Sequence, residues 1–376
     1  MSDDMITISS PERALSRDLL GTPGGFAWWY LDMVNEEGDG LVAIWSFGLP
    51  FLPGLAGAAR RGSPVVPSAR PSFNLSIYRG GEPVWYALRE YEEHEAWWSK
   101  EGDRWGFGSN KFMSRRVAGR QELEISVDLD VPGSRDRLVG EILVGGAARR
   151  ASAGDVQGDS AHDWTPLMGP AMGRAELRCG PERYAFDARA YHDRNGGERP
   201  LHELGFDRWH WGRLAFGDRE VVYYVLWPEG GGEPMCLGLE IDEHGETTRL
   251  DGLTARVSEE TRGRAGLRHE RRIELFQGGT RWLDARWRAV VDDGFFYMRG
   301  QLEGEQRGER AVGVAEYVEP HRVDRRRHRP LVQMAVKRPR DAEDSIWLPL
   351  FTGPRNGRVE RLAAHVIKKA TKRLRR

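Results

Sequence analysis

The chain has almost no cysteine. Its 376 residues include only Cys179 and Cys236, with no Cys-x-x-Cys pair, which excludes a disulfide framework and thiolate-held zinc or iron–sulfur centres. Net charge is also missing. Lys and Arg total 56 against 57 Asp and Glu, so a globally basic nucleic-acid binder is excluded. No apolar run reaches the ~18 residues of a spanning helix, and residues 1–10 lack the apolar centre of a signal peptide. The expected compartment is therefore the cytoplasm. Neither a G-x-S-x-G elbow nor a P-loop is present, and Gly230-Gly-Gly-Glu233 has no helix after it. Metal binding finds little support. His192 and Asp193 are adjacent and point to opposite faces of an extended strand, and His202 and His210 are too far apart to act as close ligands. No cofactor is expected.

What the chain does have is aromatic bulk and turn formers. The 14 Trp, 13 Phe and 10 Tyr are too much apolar surface to leave in water, and 46 Gly with 20 Pro favour many short strands over a helical bundle. At roughly 100–200 residues per domain, the length suits two domains or one large one. Strand patterns start at 26–33 and 41–47, joined by the Gly/Asp-rich Asn35–Gly40 turn, and continue at 73–78, 84–91, 122–129 and 138–144. Within 73–78, Phe73, Leu75 and Ile77 alternate with Asn74, Ser76 and Tyr78. The aperiodic Ala/Gly/Ser/Arg stretch 149–159 reads as a linker. A second strand series runs from 171 to 301. The expected organisation is a polar lead (1–20), a first barrel (21–150), a second barrel (160–322) and a basic extension (323–376). The expected class is all-β, with a short C-terminal helix.

Two segments stand apart. Residues 47–59 are apolar, with two Pro and three Gly besides the aliphatics. They read either as a loop tucked over a barrel mouth or as a lid that admits a lipid-like ligand from a membrane. Residues 359–374 form a candidate helix with Leu362, Val366 and Ile367 set among Lys and Arg. It reads either as a solvated end or as a tail lying on an anionic bilayer.

The sharpest chemical cluster is Tyr191-His-Asp-Arg-Asn-Gly-Gly-Glu-Arg-Pro200. Asp193 is a candidate acid, with His192 as its partner or proton shuttle, although Asp193 and Asn195 can equally cap turn backbone. In Arg208-Trp-His-Trp-Gly-Arg213, an extended chain puts Trp209, Trp211 and Arg213 on one face and His210 on the other. Two such Trp either belong to a core or line a cavity where their π-faces stabilise a cation. Tyr223 and Tyr224 follow, one per face.

Trp28-Trp-Tyr-Leu-Asp32, Asn74-Leu-Ser-Ile-Tyr78, His162-Asp-Trp-Thr-Pro166, the Tyr191–Gly196 cluster, Trp209-His-Trp211, Phe295-Phe-Tyr-Met-Arg299 and Gly313-Val-Ala-Glu316 resemble, in the same order, motifs of the carotenoid 1,2-hydratase (hydroxyneurosporene synthase) family. The resemblance spans about residues 24–320. It implies two lipocalin-like β-barrels in tandem and cofactor-free addition of water to a terminal isoprenoid double bond. Such chemistry asks for a carboxylic acid kept protonated by an apolar setting, aromatic rings facing a tertiary carbocation, and one placed water. Mapped onto this chain, Asp193 is the acid, and His192 and Asn195 orient it or the water. Trp209, Trp211, Tyr223 or Tyr224 and Tyr297 are the expected substrate-facing rings. The strand around 221–227 departs from the family by carrying no carboxylate. The expected partner is a hydrophobic small molecule, with peripheral contact to the inner face of a membrane. A non-catalytic carrier of a hydrophobic ligand, and an isomerase or cyclase on the same fold, are the alternatives.

Overall fold

The computed structural model describes residues 6–156, 161–340 and 342–374. The first five residues of the expected lead and residues 157–159 of the expected linker lie outside the described residues. The architecture is all-β, as expected, with two large curled sheets that are almost wholly antiparallel.

The first sheet runs from Glu82–Glu90 through Pro71–Arg79, Gly40–Phe47, Phe26–Val34, Glu182–Gly197, Met168–Cys179 and Arg137–Ala148 to Arg120–Asp130 and the short strands beyond it. The second runs from Thr247–Leu250 through Met235–Asp242, Arg219–Pro228, Phe206–Ala215, Glu309–Val318, Tyr297–Gln306 and Thr280–Asp293 to Arg268–Gln277 and Leu253–Arg262. This corrects the expected division. Residues 149–159 are a loop, but the chain beyond them returns to the first sheet. Arg189 to Gly197 pair with Phe26 to Val34 in register, so the change of sheet falls after Gly197. Small residues mark a connection; they do not say which strands it joins.

Strand alternation explains three apolar cores. In Phe26–Val34 every residue is buried, because both faces are covered. Trp29, Leu31 and Met33 enter the core inside the first sheet. Trp28 and Tyr30 enter a different core, shared with Trp209, Trp211 and Tyr224 of the second sheet. In Arg219–Pro228, Tyr223 and Val225 point into the interior of the second sheet, while Val222 and Tyr224 face the first. The two sheets therefore pack face to face, and the layer between them is rich in rings.

The ends of the chain are docked. Thr7–Ile8 pairs in parallel with Asp163 and Trp164, and Ile6 and Ile8 are buried between the sheets, so the lead is part of the fold. Past Val318, Val336 pairs with Leu88 and Gly353 with Tyr86, covering the edge strand Glu82–Glu90 that would otherwise present unpaired backbone. The apolar 47–59 segment is tucked in, with Leu49, Leu52 and Ala56 buried, and Leu55–Arg60 forms a short helix that its Pro and Gly content argued against.

Candidate active site

The Glu182–Gly197 strand alternates like its neighbours, so Tyr191, Asp193 and Asn195 share the face toward the second sheet. His192 points the other way. Its ring stacks on Trp45, 5.5 Å between centroids, and its Nδ1 lies 2.8 Å from the Tyr30 carbonyl oxygen. His192 is therefore a core residue of the first sheet and does not orient Asp193. Their adjacency in sequence is what separates them in an extended chain.

Asp193 is buried and gripped by three donors. Its Oδ2 accepts from the Trp164 indole at 2.8 Å and from the Tyr191 hydroxyl at 3.0 Å, and its Oδ1 accepts from the Asn195 amide at 3.0 Å. The Asn195 carbonyl lies 3.0 Å from His162 Nε2. Burial pushes the Asp193 carboxyl up to about 8, against the pull of the Trp164 and Tyr191 hydrogen bonds and with help from the charges of Glu316 and Asp32. Burial pushes His162 down to about 4. Near neutral pH the centre thus holds a largely protonated acid beside an uncharged imidazole.

Rings enclose it. Trp164 meets Tyr224 edge-on with centroids 4.8 Å apart, and Trp211 lies 5.6 Å from Tyr191 and 5.1 Å from Tyr30. Tyr224 and Trp211 thus stand with the partners of Asp193. Trp209 sits further along the same layer, 5.9 Å from Phe51. Tyr223 is not among them. It lies inside the second sheet, its hydroxyl buried with no hydrogen-bond partner.

Two buried charge clusters flank this centre. Arg213, on the face of Trp209 and Trp211, donates from Nε to Asp32 Oδ1 at 2.7 Å and approaches Glu220 at 3.4 Å, with all three side chains wholly buried. Burial pushes Glu220 up to about 7. In the second cluster the Tyr297 hydroxyl donates to Glu316 and accepts from Arg299, which also reaches Asp292 at 2.7 Å and the Tyr78 hydroxyl at 3.0 Å. Burial raises the Glu316 carboxyl as well.

Tyr297 and Arg299 line an apolar cavity of about 230 Å³ between the sheets, walled also by Ile44, Phe51, Tyr86 and Leu88 and rimmed by Leu331 and Phe351. Asp193 does not line it. Phe51, from the tucked 47–59 segment, stands in the cavity wall on the side of Trp28. Its ring lies 5.8 Å from Tyr297 on the cavity side and 6.2 Å from Trp28, which packs 5.4 Å from His162.

Sequence reasoning gave no role to Trp164, Tyr191, Asp32, Arg213, Glu220, Arg299 or Glu316. A signal existed for two of them: Asp32 is an acid inside an otherwise apolar run, and Arg213 is the third residue of the Trp209/Trp211 face. Among the described residues, no group of three or more His, Cys, Asp or Glu is placed to hold a metal ion.

Two curled antiparallel sheets packed face to face define a known architecture. The crystal structure of a protein described as AttH from Nitrosomonas europaea covers 82% of this chain and 98% of its own, with a TM-score of 0.56 at 12% identity. The structure of CghA with Sch210972 covers 85% and 96%, with a TM-score of 0.52 at 12% identity. These share the lipocalin-like fold.

Sequence comparison narrows the class to a family. The carotenoid hydratase CrtC family matches residues 113–346, and the chain belongs to it. It is thus a member of a hydratase family, enzymes of the hydro-lyase type. A hydroxyneurosporene dehydrogenase of Chlorobaculum tepidum is 27% identical over 347 residues, 84% of this chain and 87% of the relative. An acyclic carotenoid 1,2-hydratase of Thiocapsa roseopersicina is 27% identical over 330 residues, 82% and 72% of the two chains. The matched segment includes Asp193, Trp209, Trp211 and Tyr297.

Proposed function

We propose that this protein adds water to the terminal double bond of an acyclic carotenoid or related isoprenoid, with Asp193 as the acid. The observation that carries the reading is the Asp193 carboxyl buried in the ring-lined layer and bonded to Trp164, Tyr191 and Asn195, a burial that pushes it up to about 8. An unactivated alkene is a very weak base, so it needs a donor that still carries its proton near neutral pH and is held next to it. Asp193 would give its proton to the less substituted alkene carbon, leaving a tertiary cation on the other. The faces of Trp211 and Tyr224 would stabilise that cation while the sheets keep bulk water out. One water then attacks the cation, and its proton returns to the Asp193 carboxylate, directly or through the Tyr191 hydroxyl 3.0 Å away. The sum is alkene plus water giving a tertiary alcohol. No electrons leave or enter, so the chemistry asks for no redox cofactor.

The Asn195–His162 pair holds the Asp193 carboxyl in place. A cavity of about 230 Å³ suits the end of a prenyl chain and not a whole carotenoid, so the remainder would extend past Leu331 and Phe351. Phe51 would turn aside to bring the chain end to Asp193. A substrate of this kind resides in membranes, and the enzyme would draw it from there.

The test is to incubate the purified protein with lycopene or neurosporene and look for product heavier by one water. Wild type should form it and Asp193→Asn, still folded, should not. Hydrated product at an undiminished rate from Asp193→Asn would remove Asp193 from the mechanism. A product of unchanged mass would instead favour an isomerase or cyclase.

A further inference from the structure

The Arg358–Leu374 helix is built with its apolar side outward. Arg361 and His365 are buried, and the Arg361 guanidinium donates to the Asn356 carbonyl at 2.6 Å and to the Pro349 carbonyl at 3.4 Å. Lys369 donates to the Asp344 carbonyl oxygen on the same side. The opposite face carries Val359, Ala363, Val366, Ile367 and Ala370, one stripe at helical spacing, and all five are exposed. Val359 is 71% exposed and Ile367 65%. The expected helix is present, but Leu362 does not share the outer face with Val366 and Ile367; it is half-buried.

This stripe is part of a larger patch. Among the described residues, twelve large hydrophobic side chains are exposed, and seven of them lie between Leu331 and Ile367. Single exposed apolar residues need no explanation, but a cluster does. Ile346 and Trp347 immediately precede the Leu348–Phe351 helix, which the carbonyl contacts of Arg358 and Arg361 tie against the first turns of Arg358–Leu374. Leu331 and Phe351 stand on the rim of the inter-sheet cavity. Exposed apolar side chains thus occur on the outer helix face, on the segment tied to that helix and at the cavity.

Charge identifies the occupant. Residues 358–376 contain eight Lys and Arg and one Glu. A second copy of the chain would bring two such basic segments together, and repulsion opposes that pairing. An anionic bilayer satisfies both features, because acyl chains take the apolar stripe while the exposed Lys368 and the basic sequence that follows it, Lys372 to Arg376, attract anionic headgroups. We infer that the 331–374 region is a docking surface for an anionic lipid bilayer, seating the cavity mouth against the membrane. The inference takes from the proposed function only that the ligand is apolar. It also departs from the expectation that residues 47–59 form the membrane lip, because that segment is mostly buried.

The test is co-sedimentation of the full-length protein with vesicles of phosphatidylcholine alone and of phosphatidylcholine with phosphatidylglycerol. The comparison is the triple variant Trp347→Ser, Val366→Ser, Ile367→Ser, checked for native circular dichroism. Wild type should bind the anionic vesicles, more weakly as salt is added, and the variant should lose affinity by about tenfold or more. Turnover of detergent-dispersed substrate should be the same in both, which separates this proposal from the reaction. No binding of wild type at low salt would overturn the proposal, as would equal binding by the variant. So would a wild-type dimer that the variant converts to monomer with no vesicle binding in either.

Discussion

The indole N–H of Trp164 is directed at the carboxylate of Asp193, 2.8 Å from Oδ2. A donor at that distance favours the charged form of a carboxyl that its apolar surroundings force toward the neutral form. The two effects leave Asp193 poised near about 8, where a buried acid can both give up and recover a proton.

Trp164→Phe keeps the ring and removes the donor. The Asp193 pKa should then rise further, moving the alkaline limb of the pH–rate profile upward, at a cost of about 1 kcal/mol in stability. A profile over several pH values measures the shift. An unmoved limb would mean that the indole does not tune this carboxyl.

Activity should hold below and fail as pH rises through about 8, as Asp193 ionises. Stability should follow the same group. The folded state keeps a proton that the unfolded chain, with an Asp pKa of about 4, has released. Asp193 therefore makes stability fall as pH rises from about 4 to the folded value of about 8 and contributes no slope above it. Urea denaturation across that window should show a shallower decline in Asp193→Asn than in wild type. Parallel declines would contradict the burial argument.

Tyr223 and Tyr224 are adjacent and should behave oppositely. Tyr223→Phe deletes a hydroxyl buried without a partner inside the second sheet, so stability should be unchanged or slightly higher and turnover untouched. Tyr224→Ala removes a ring from the layer around Asp193 and should lower kcat. Steady-state kinetics with thermal melts compare the two.

Arg213→Met should cost about 3–5 kcal/mol, because it strands two carboxylates, Asp32 and Glu220, in a wholly buried site. Restoring neutrality with Asp32→Asn and Glu220→Gln in the same chain should recover much of the loss. Chemical denaturation of the single and triple variants measures both effects.

Phe51→Trp enlarges the ring between the cavity and Trp28. It should lower kcat/KM for a long isoprenoid by about tenfold while leaving the alkaline limb in place, because Asp193 and its donors are untouched. A displaced limb would show that Phe51 shapes the acid itself and not the approach to it.

The strands were legible because their apolar residues alternate or run together, and Asp193 stood out as an acid in a polar cluster that ends an apolar strand. Its surroundings were not legible. Trp164 lies 29 residues away along the chain and reaches Asp193 because Asp163–Pro166 pairs with the Glu182–Gly197 strand, and Arg213 meets Asp32 across 181 residues where the two sheets pack face to face. Alternation separates Tyr223 from Tyr224 and His192 from Asp193, but it does not say which face meets the other sheet. The C-terminal helix shows the same limit. Its amphipathic pattern was plain, yet Arg361 and His365 turn inward because backbone carbonyls wait there to be capped.

The most direct measurement is the infrared difference spectrum between wild type and Asp193→Asn at pH 7. A neutral buried acid predicts a protonated-carboxyl C=O band that is present in wild type, absent in the variant, and lost as pH is raised past about 8. If the difference contains only ionised-carboxylate bands at pH 7, Asp193 is already charged and cannot be the proton donor.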